Sequence, residues 1–277
     1  MYLYDSHVHS ICSHDGSLTA TEQATFAKEK GLNGICITDH FDMVINNNVF
    51  DASHIEKCRK DVESARQHFK DTFSVDFGVE IGDYYYNKSI AQKCVKTFDF
   101  DFVIGSLHSR HVGKSIIENY SGFQNFKTMT SSQDRQFMEK YFKVTLESVW
   151  DKNNDFDAWA HLTYPIRYIT SVNRRSVNIC DYDNIIADIL TGLIEREKSL
   201  EINTSCLNSD WKYTLPSFDI IKTYFNLGGR LITLGSDSHM SERLGLGFNE
   251  VINNLREIGF TEYYKYIKRK PVAISLD

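Results

Sequence analysis

Histidine and carboxylate side chains recur at one kind of position in this sequence, at the ends of short apolar runs. The first run leads into His7-Val8-His9, and the next leads into Asp39-His40. The residues at such positions, six of them histidines, are His7, His9, His40, Glu80, His108, His161, Asp237 and His239. Imidazole together with carboxylate is a common ligand set for zinc, iron and manganese. The pattern therefore predicts a metal centre.

The spacing of these residues favours a catalytic centre with more than one ion. His7 and His9 are separated by one residue, and alternate residues of a strand share a face, so both imidazoles can enter one site. None of the motifs contributes a thiolate, the ligand that closed structural zinc sites favour. With Asp15 there are nine candidate ligands, more than one tetrahedral ion can use. We therefore expect two or three ions, with Glu80 as a carboxylate able to bridge two of them.

The elements that must position these side chains alternate along the chain, with apolar runs as predicted strands and amphipathic segments as predicted helices. The predicted strands are Leu3–His7, Gly34–Thr38, Val75–Glu80, Phe102–Leu107, Asp157–His161, Leu200–Thr204 and Arg230–Gly235. The predicted helices are Thr19–Gly31, His54–Phe69, Gln133–Trp150, Tyr182–Arg196 and Ser217–Asn226. The first helix opens with the capping box Thr19-x-x-Glu22.

Repeated strand–helix units predict an α/β fold with a parallel sheet. Seven strands favour a closed or nearly closed barrel, with an open sheet as the alternative. In both architectures, chemistry gathers at the carboxyl ends of the strands. Six of the seven predicted strands end at or just before a candidate ligand, and the sixth in chain order ends at Asn203-Thr204-Ser205.

Composition limits the classes of partner. The net charge of −6 does not favour nucleic acid, and no run approaches the ~20 apolar residues of a membrane span. The N-terminal residues lack the features of a signal peptide, and the cysteines are scattered, so we expect a reduced cytoplasmic protein. No linker composition interrupts residues 1–277, which favours one domain. The basic run Lys265–Lys270 is expected to be a solvated helix end.

The motifs together resemble the polymerase and histidinol phosphatase (PHP) superfamily. The resemblance rests on His7-Val8-His9-Ser10, Ser13-His14-Asp15-Gly16 and Ile37-Thr38-Asp39-His40, and on the later residues Glu80, His108, His161, Asp237 and His239 in the same order. Segments such as Gly78–Gly82 and Ala160–Tyr168 resemble its histidinol-phosphatase branch in particular. The resemblance implies a distorted (β/α)7 barrel, similar to a TIM barrel, with the active site at the carboxyl ends of the strands.

The resemblance also implies how the ligands are shared among three divalent ions, which can be zinc, manganese or iron. The first ion takes His7, His9, Glu80 and Asp237. The second takes Glu80, His108 and His161. The third takes Asp15, His40 and His239, with His14 as the alternative to Asp15.

The implied activity is hydrolysis of a phosphomonoester, with L-histidinol phosphate as the expected substrate. A hydroxide between two ions would attack phosphorus, and Arg167 would grip the phosphate through its planar guanidinium. Leaving-group protonation is assigned, in order of preference, to Asp15, His239 or a metal-bound water. Asn203 and Ser205 are expected to contact the substrate.

One departure from the resembled pattern concerns the phosphate. Related phosphatases often continue Asn-Thr-Ser with Gly, Leu and Arg, whereas this chain has Cys206-Leu207-Asn208. Lys212 and Arg174 are the candidates for replacing the lost arginine. The alternatives are a related phosphoesterase acting on a nucleotide, sugar phosphate or phosphotyrosine, a carbon–nitrogen hydrolase, and a non-catalytic metal-binding module.

Overall fold

The computed structural model describes residues 1–42, 50–112, 115–122, 127–173, 176–207 and 212–277. Arg174 and Asn208 lie outside them. The strands are β1 (Tyr4–Val8), β2 (Gly34–Ile37), β3 (Ser74–Gly82), β4 (Phe102–Ser106), β5 (Ser109–Val112), β6 (Ser115–Asn119), β7 (Ala158–Trp159), β8 (Ser199–Asn203), β9 (Ile232–Gly235), β10 (Glu262–Ile267) and β11 (Lys270–Ser275). The helices are α1 (Ala20–Glu29), α2 (Ala52–Phe69), α3 (Lys88–Thr97), α4 (Ser131–Trp150), α5 (Ile166–Asn173), α6 (Asp183–Glu195), α7 (Phe218–Asn226) and α8 (Phe248–Ile258).

Seven of the strands form one parallel sheet in the order β1-β2-β3-β4-β7-β8-β9. A parallel bridge between Val8 and Ser238 joins its first strand to the segment after its last, so the sheet is a nearly closed barrel. The strand interiors are almost wholly buried, as expected of parallel strands covered by helices. The predicted distorted (β/α)7 barrel is confirmed. Both ends of each of its seven strands lie within two residues of the predicted ends.

The helices form where the sequence carries its start signals. The Thr19 side chain accepts from the backbone N–H of Glu22, and the Glu22 carboxylate accepts from the backbone N–H of Thr19, which is the predicted capping box. Thr130 and Gln133 make the same pair at the start of α4. All five predicted helices are present, with small differences at their ends. Within the described residues, none of the helices is both long and apolar enough to cross a membrane.

Two parts of the chain differ from the sequence-based predictions. The run Lys265–Lys270 is not a helix end, because β10 and β11 form an antiparallel hairpin there. Lys268 and Arg269 make its turn with positive φ angles of 49° and 64°. Arg167, which lies outside the predicted helices and strands, is the second residue of α5. Pro165 precedes that helix, and proline is well tolerated at a helix start because its missing N–H costs no hydrogen bond there.

Candidate active site

The carboxyl ends of the barrel strands bring all nine predicted ligands to one mouth. His9, His108, His161 and Asp237 each follow their strand by one or two residues. The chain after β2 continues alongside β3, where Phe41 N–H donates to the carbonyl of Glu80, and so carries His40 to the same place.

The first group of ligands surrounds the carboxyl end of β1. The Nε2 atoms of His7 and His9 lie 3.0 Å apart. Glu80 Oε2 lies 3.4 Å from His7 Nε2, and Asp237 Oδ1 lies 3.3 Å from His9 Nε2. All four residues are buried. Two nitrogens and two carboxylate oxygens therefore converge on one point.

The second group shares Glu80 with the first. Its other oxygen, Oε1, lies 3.1 Å from His108 Nε2 and 3.0 Å from His161 Nε2. The two imidazole nitrogens are 3.2 Å apart. Glu80 thus presents one oxygen to each group, as a bridging carboxylate must.

The third group lies nearer the solvent. His239 Nε2 is 3.4 Å from His40 Nε2 and 3.2 Å from Asp15 Oδ2. Asp15 Oδ1 is 3.7 Å from His40 Nε2. His14 also approaches Asp15, at 3.8 Å, so the alternative ligand His14 stays open in this geometry.

A layer of acceptors behind the histidines fixes their orientation. His7 Nδ1 lies 2.5 Å from Glu201 Oε1, and His108 Nδ1 lies 3.1 Å from Asp42 Oδ1. His9 Nδ1 lies 3.0 Å from Ser13 Oγ, which donates to Asp39. The role of Glu201 was not predicted from the sequence. The available signal was a charged residue between Leu200 and Ile202, at the centre of the buried strand β8.

The donor set fits metal ions. A carboxylate only accepts, so the neutral ring of His7 carries its proton on Nδ1 toward Glu201, which leaves Nε2 with a lone pair directed at the Nε2 of His9. His108 has the same arrangement, with Asp42 behind it and His161 in front. Facing lone pairs in a buried site call for a cation between them. Glu80 Oε2 is also buried, and it lies 2.9 Å from His40 Nδ1 without hydrogen-bond geometry.

The charges of the site reinforce this fit. Burial alone would raise the pKa of Glu80, but His108, His7 and His40 hold it well below its usual range, so the carboxylate is ionised. Burial alone would lower the pKa of His7, but Glu201, Glu80 and Asp237 raise it well above its ordinary value. In the metal-free protein the imidazole of His7 therefore retains a proton at a position that a metal ion can take instead.

Two of these residues also have an unusual backbone. His161 has a φ of 29° and Asp237 a φ of 53°, in a region that costs non-glycine residues about 1–3 kcal/mol. His161 N–H donates to Glu201 Oε2, and Asp237 N–H donates to the carbonyl of His7. These bonds hold both strained residues in place, and strain of this kind concentrates at functional sites.

A cavity of about 190 Å³ opens beside the three groups, and Arg167 and Ser205 line it. The Arg167 guanidinium lies 5.4 Å from the ring centres of both Tyr164 and Tyr168. Asn203 is buried beneath Ser205, its side-chain carbonyl accepting from Ser205 Oγ at 2.6 Å and its amide donating to Glu201. Of the two predicted substrate contacts at the carboxyl end of β8, only Ser205 reaches the cavity wall.

A parallel barrel with three convergent groups of imidazole and carboxylate ligands at its mouth defines a metal-dependent hydrolase. Residues 5–205 match the PHP domain family. The chain therefore belongs to the PHP family, as the motifs at the strand ends predicted.

Relatives and solved structures agree with this assignment over nearly the whole chain. A histidinol-phosphatase of Lactococcus lactis is 30% identical and covers 93% of this chain and 92% of its own length. A probable histidinol-phosphatase of Clostridium acetobutylicum is 32% identical, with 93% and 96% covered. The structure resembles that of a histidinol phosphate phosphatase from Lactococcus lactis, complexed with zinc, L-histidinol and phosphate, with a TM-score of 0.81, 25% identity and 98% of both chains covered.

Proposed function

We propose that this protein is a metal-dependent phosphomonoester hydrolase that acts on L-histidinol phosphate, in histidine biosynthesis. The observation that carries the proposal is the shared carboxylate of Glu80 between two imidazole groups, beside an arginine-lined cavity. The relatives named histidinol-phosphatase and the zinc, L-histidinol and phosphate in the similar solved structure support the same substrate.

The proposed ligands form three sets, for two to three zinc, manganese or iron ions. The first set is His7, His9, Glu80 and Asp237, the second is Glu80, His108 and His161, and the third is Asp15, His40 and His239. When bound, such ions lower the pKa of water to about 7 and neutralise phosphoryl oxygens.

Arg167 is the proposed phosphate clamp. Its side chain lines the cavity, where Tyr164 and Tyr168 pack against it and fix its direction. A planar guanidinium can donate two parallel hydrogen bonds to a phosphate, which would hold the phosphoryl group against the ligand cluster. Ser205, at the same wall, is a proposed neutral donor, and Asn203 positions it.

The leaving group needs a proton, and Asp15, His239 and water are the candidate donors. Burial would raise the pKa of Asp15, but the neighbouring side chains of His239 and His40 hold it below its usual range. An ionised Asp15 suits metal binding better than proton donation. His239 places Nδ1 3.0 Å from the carbonyl of Asp237, so the neutral ring carries its proton there and leaves Nε2 free to bind a metal. We therefore favour water in the open mouth as the proton source over either side chain.

We further propose that residues 1–277 form one domain in a reducing, cytoplasmic setting. The hairpin of β10 and β11 packs on the barrel, where Tyr263 Oη accepts from the backbone N–H of Tyr4 and Tyr266 Oη is 2.9 Å from Ser199 Oγ. The six cysteines are free thiols, and five of them are buried. Both observations support this organisation.

The experiment is phosphate release from L-histidinol phosphate, compared with nucleotides, sugar phosphates and phosphotyrosine, by protein loaded with zinc, manganese or iron. We expect the highest kcat/KM on L-histidinol phosphate and loss of activity after chelation. Preference for another phosphomonoester would support the alternative substrates. Full activity without metal would refute the proposal, and bound metal with no hydrolysis would support a non-catalytic module.

A further inference from the structure

A second arginine, Arg243, faces the same cavity as Arg167. It ends a short 3-10 turn, Ser241–Arg243, that follows the ligand segment after β9. Arg243, Ser205 and Arg167 all line the cavity. Because they follow β9, β8 and β7, three neighbouring strands of the barrel, Arg243 and Arg167 approach Ser205 from the two adjacent loops.

Among the arginines whose side chains are described, only these two guanidinium groups lack a hydrogen-bonded polar partner. Among the arginines whose side chains the structure describes, the other seven donate to a carboxylate, an amide or a backbone carbonyl, and they are Arg59, Arg66, Arg135, Arg196, Arg230, Arg256 and Arg269. Arg167 and Arg243 make no such bond to any residue that the structure describes. Arg243 is only half-buried, but a guanidinium that leaves water needs an acceptor.

Both charges act on the same neighbour. Burial raises the pKa of the Cys206 thiol, while Arg167 and Arg243 each lower it. Cys206 directly follows Ser205, so the two guanidinium groups lie within electrostatic reach of one wall of the cavity. That wall carries positive charge in a chain whose overall charge is −6.

The backbone that carries Arg243 is held on both sides. Its N–H donates to the carbonyl of Met240, the next residue, Leu244, is buried, and Gly245 N–H donates to Asp5 Oδ2 at 3.0 Å. Asp5 belongs to β1, two residues before the ligand His7. The turn is therefore fixed to the barrel itself, which preorganises Arg243 at the mouth.

We infer that Arg243 is a second phosphate-binding arginine, which with Arg167 grips the phosphoryl group of the substrate. A phosphate monoester carries about −1.5 to −2 charges at neutral pH, so two guanidinium groups match its charge. This inference rests on the proposed phosphatase function. It also replaces Lys212 as the source of the second positive contact, because Lys212 is exposed and is not among the cavity residues.

The test uses the zinc-loaded protein and two readouts. The first is the affinity for inorganic phosphate, measured by calorimetry, which needs no turnover. The second is the split of kcat and KM on the best phosphomonoester. The variants are Arg243→Ala, Arg243→Lys and the matched control Lys212→Ala, which removes one positive charge nearby. Zinc content and Tm are recorded for each.

We expect Arg243→Ala to weaken phosphate binding by about 10- to 100-fold, the effect of one lost charge-assisted contact. Arg243→Lys should recover part of it, added guanidinium ion should partly rescue Arg243→Ala, and Lys212→Ala should match the unmodified protein. Zinc content should not change. If Arg243→Ala loses zinc or folds poorly, Arg243→Lys becomes the test of the inference. We then expect its phosphate affinity to be lower than that of the unmodified protein.

Unchanged phosphate affinity in a folded, zinc-loaded Arg243 variant would overturn the inference. An equal loss in Lys212→Ala would do the same, because it would reveal a general charge effect. If the unmodified protein hydrolyses no phosphomonoester, the proposed function fails, but the phosphate affinities still decide the role of Arg243.

Discussion

Glu201 is expected to control metal affinity without touching a metal, and Glu201→Gln tests this with almost no change of shape. The carboxylate accepts three hydrogen bonds, from His7 Nδ1 at 2.5 Å, His161 N–H at 2.8 Å and the Asn203 amide at 3.1 Å. A glutamine has one acceptor oxygen and one NH2 group. It cannot accept from both sides at once.

Each orientation of the glutamine has a cost. If its oxygen faces His161 and Asn203, its NH2 faces His7 Nδ1 and moves the ring proton to Nε2, which removes the lone pair needed for a metal. If its oxygen faces His7, its NH2 group faces two other donors, the His161 N–H and the Asn203 amide, which then have no acceptor. A buried unsatisfied donor costs about 1–3 kcal/mol, which corresponds to about a 5- to 150-fold loss of affinity. This range agrees with the about 10- to 100-fold effect of residues that orient metal ligands.

The assay is zinc affinity by chelator competition, with kcat/KM and Tm measured beside it. The matched control is Glu195→Gln, which removes the same charge from an exposed position at the end of α6. Wild-type zinc affinity in a folded Glu201→Gln protein would refute the reasoning. An equal loss in Glu195→Gln would attribute the effect to net charge.

Three further predictions concern the ligands and the phosphate contact. Glu80→Ala should disturb two ions. It should therefore lower kcat/KM by more than the 10- to 100-fold, or about that, expected for residues that only orient metal ligands. His54→Ala should retain activity, and equal kinetics of the two variants would contradict the ligand assignment. Arg167→Ala should lower kcat/KM by about 10- to a few hundred-fold with metal content unchanged, and Arg167→Lys should recover only part; loss together with metal or fold would indicate a structural role. Burial would lower the pKa of His40, but Asp42 and Glu80 raise it to about 9, so a metal must displace its proton. Metal affinity there should rise up to about tenfold per pH unit until about pH 9, and an affinity independent of pH would contradict this.

The barrel and the proposed ligands could be predicted because their signals are local. A buried parallel strand is a short apolar run, and the residue that leaves it at the carboxyl end must face the mouth. His7, His108 and His161 each combine both signals within a few residues. The strand β7 has only two paired residues, Ala158 and Trp159, yet the run around it was still recognisable.

Elements that depend on tertiary contacts were harder to predict. Helix α5 contains Ile166, Ile169 and Thr170, whose β-branched side chains have low helix propensity. The buried side of the helix, with Ile169 fully enclosed, supplies the stabilisation that the local sequence lacks. The hairpin of β10 and β11 similarly depends on Tyr263 and Tyr266 packing against the barrel, and its lysines alone were typical of a solvated helix end.

The residues that prepare the site for chemistry depend on contacts between distant parts of the chain. His7 and Glu201 are 194 positions apart, and His108 and Asp42 are 66 apart. A histidine motif predicts that a nitrogen is available, but only the partner on the other ring nitrogen determines which nitrogen holds the proton. Arg243 illustrates the same point for the substrate. Nothing in the run Ser241-Glu242-Arg243 differs from an exposed turn. The proposed role of Arg243 follows from the cavity wall that it shares with Arg167 and Ser205 and from its lack of a hydrogen-bonded partner among the described residues. Candidate metal ligands can therefore be predicted from the sequence around each strand end. The groups that set the histidine tautomers, and the arginines proposed to bind the phosphate, can be identified only from the three-dimensional structure.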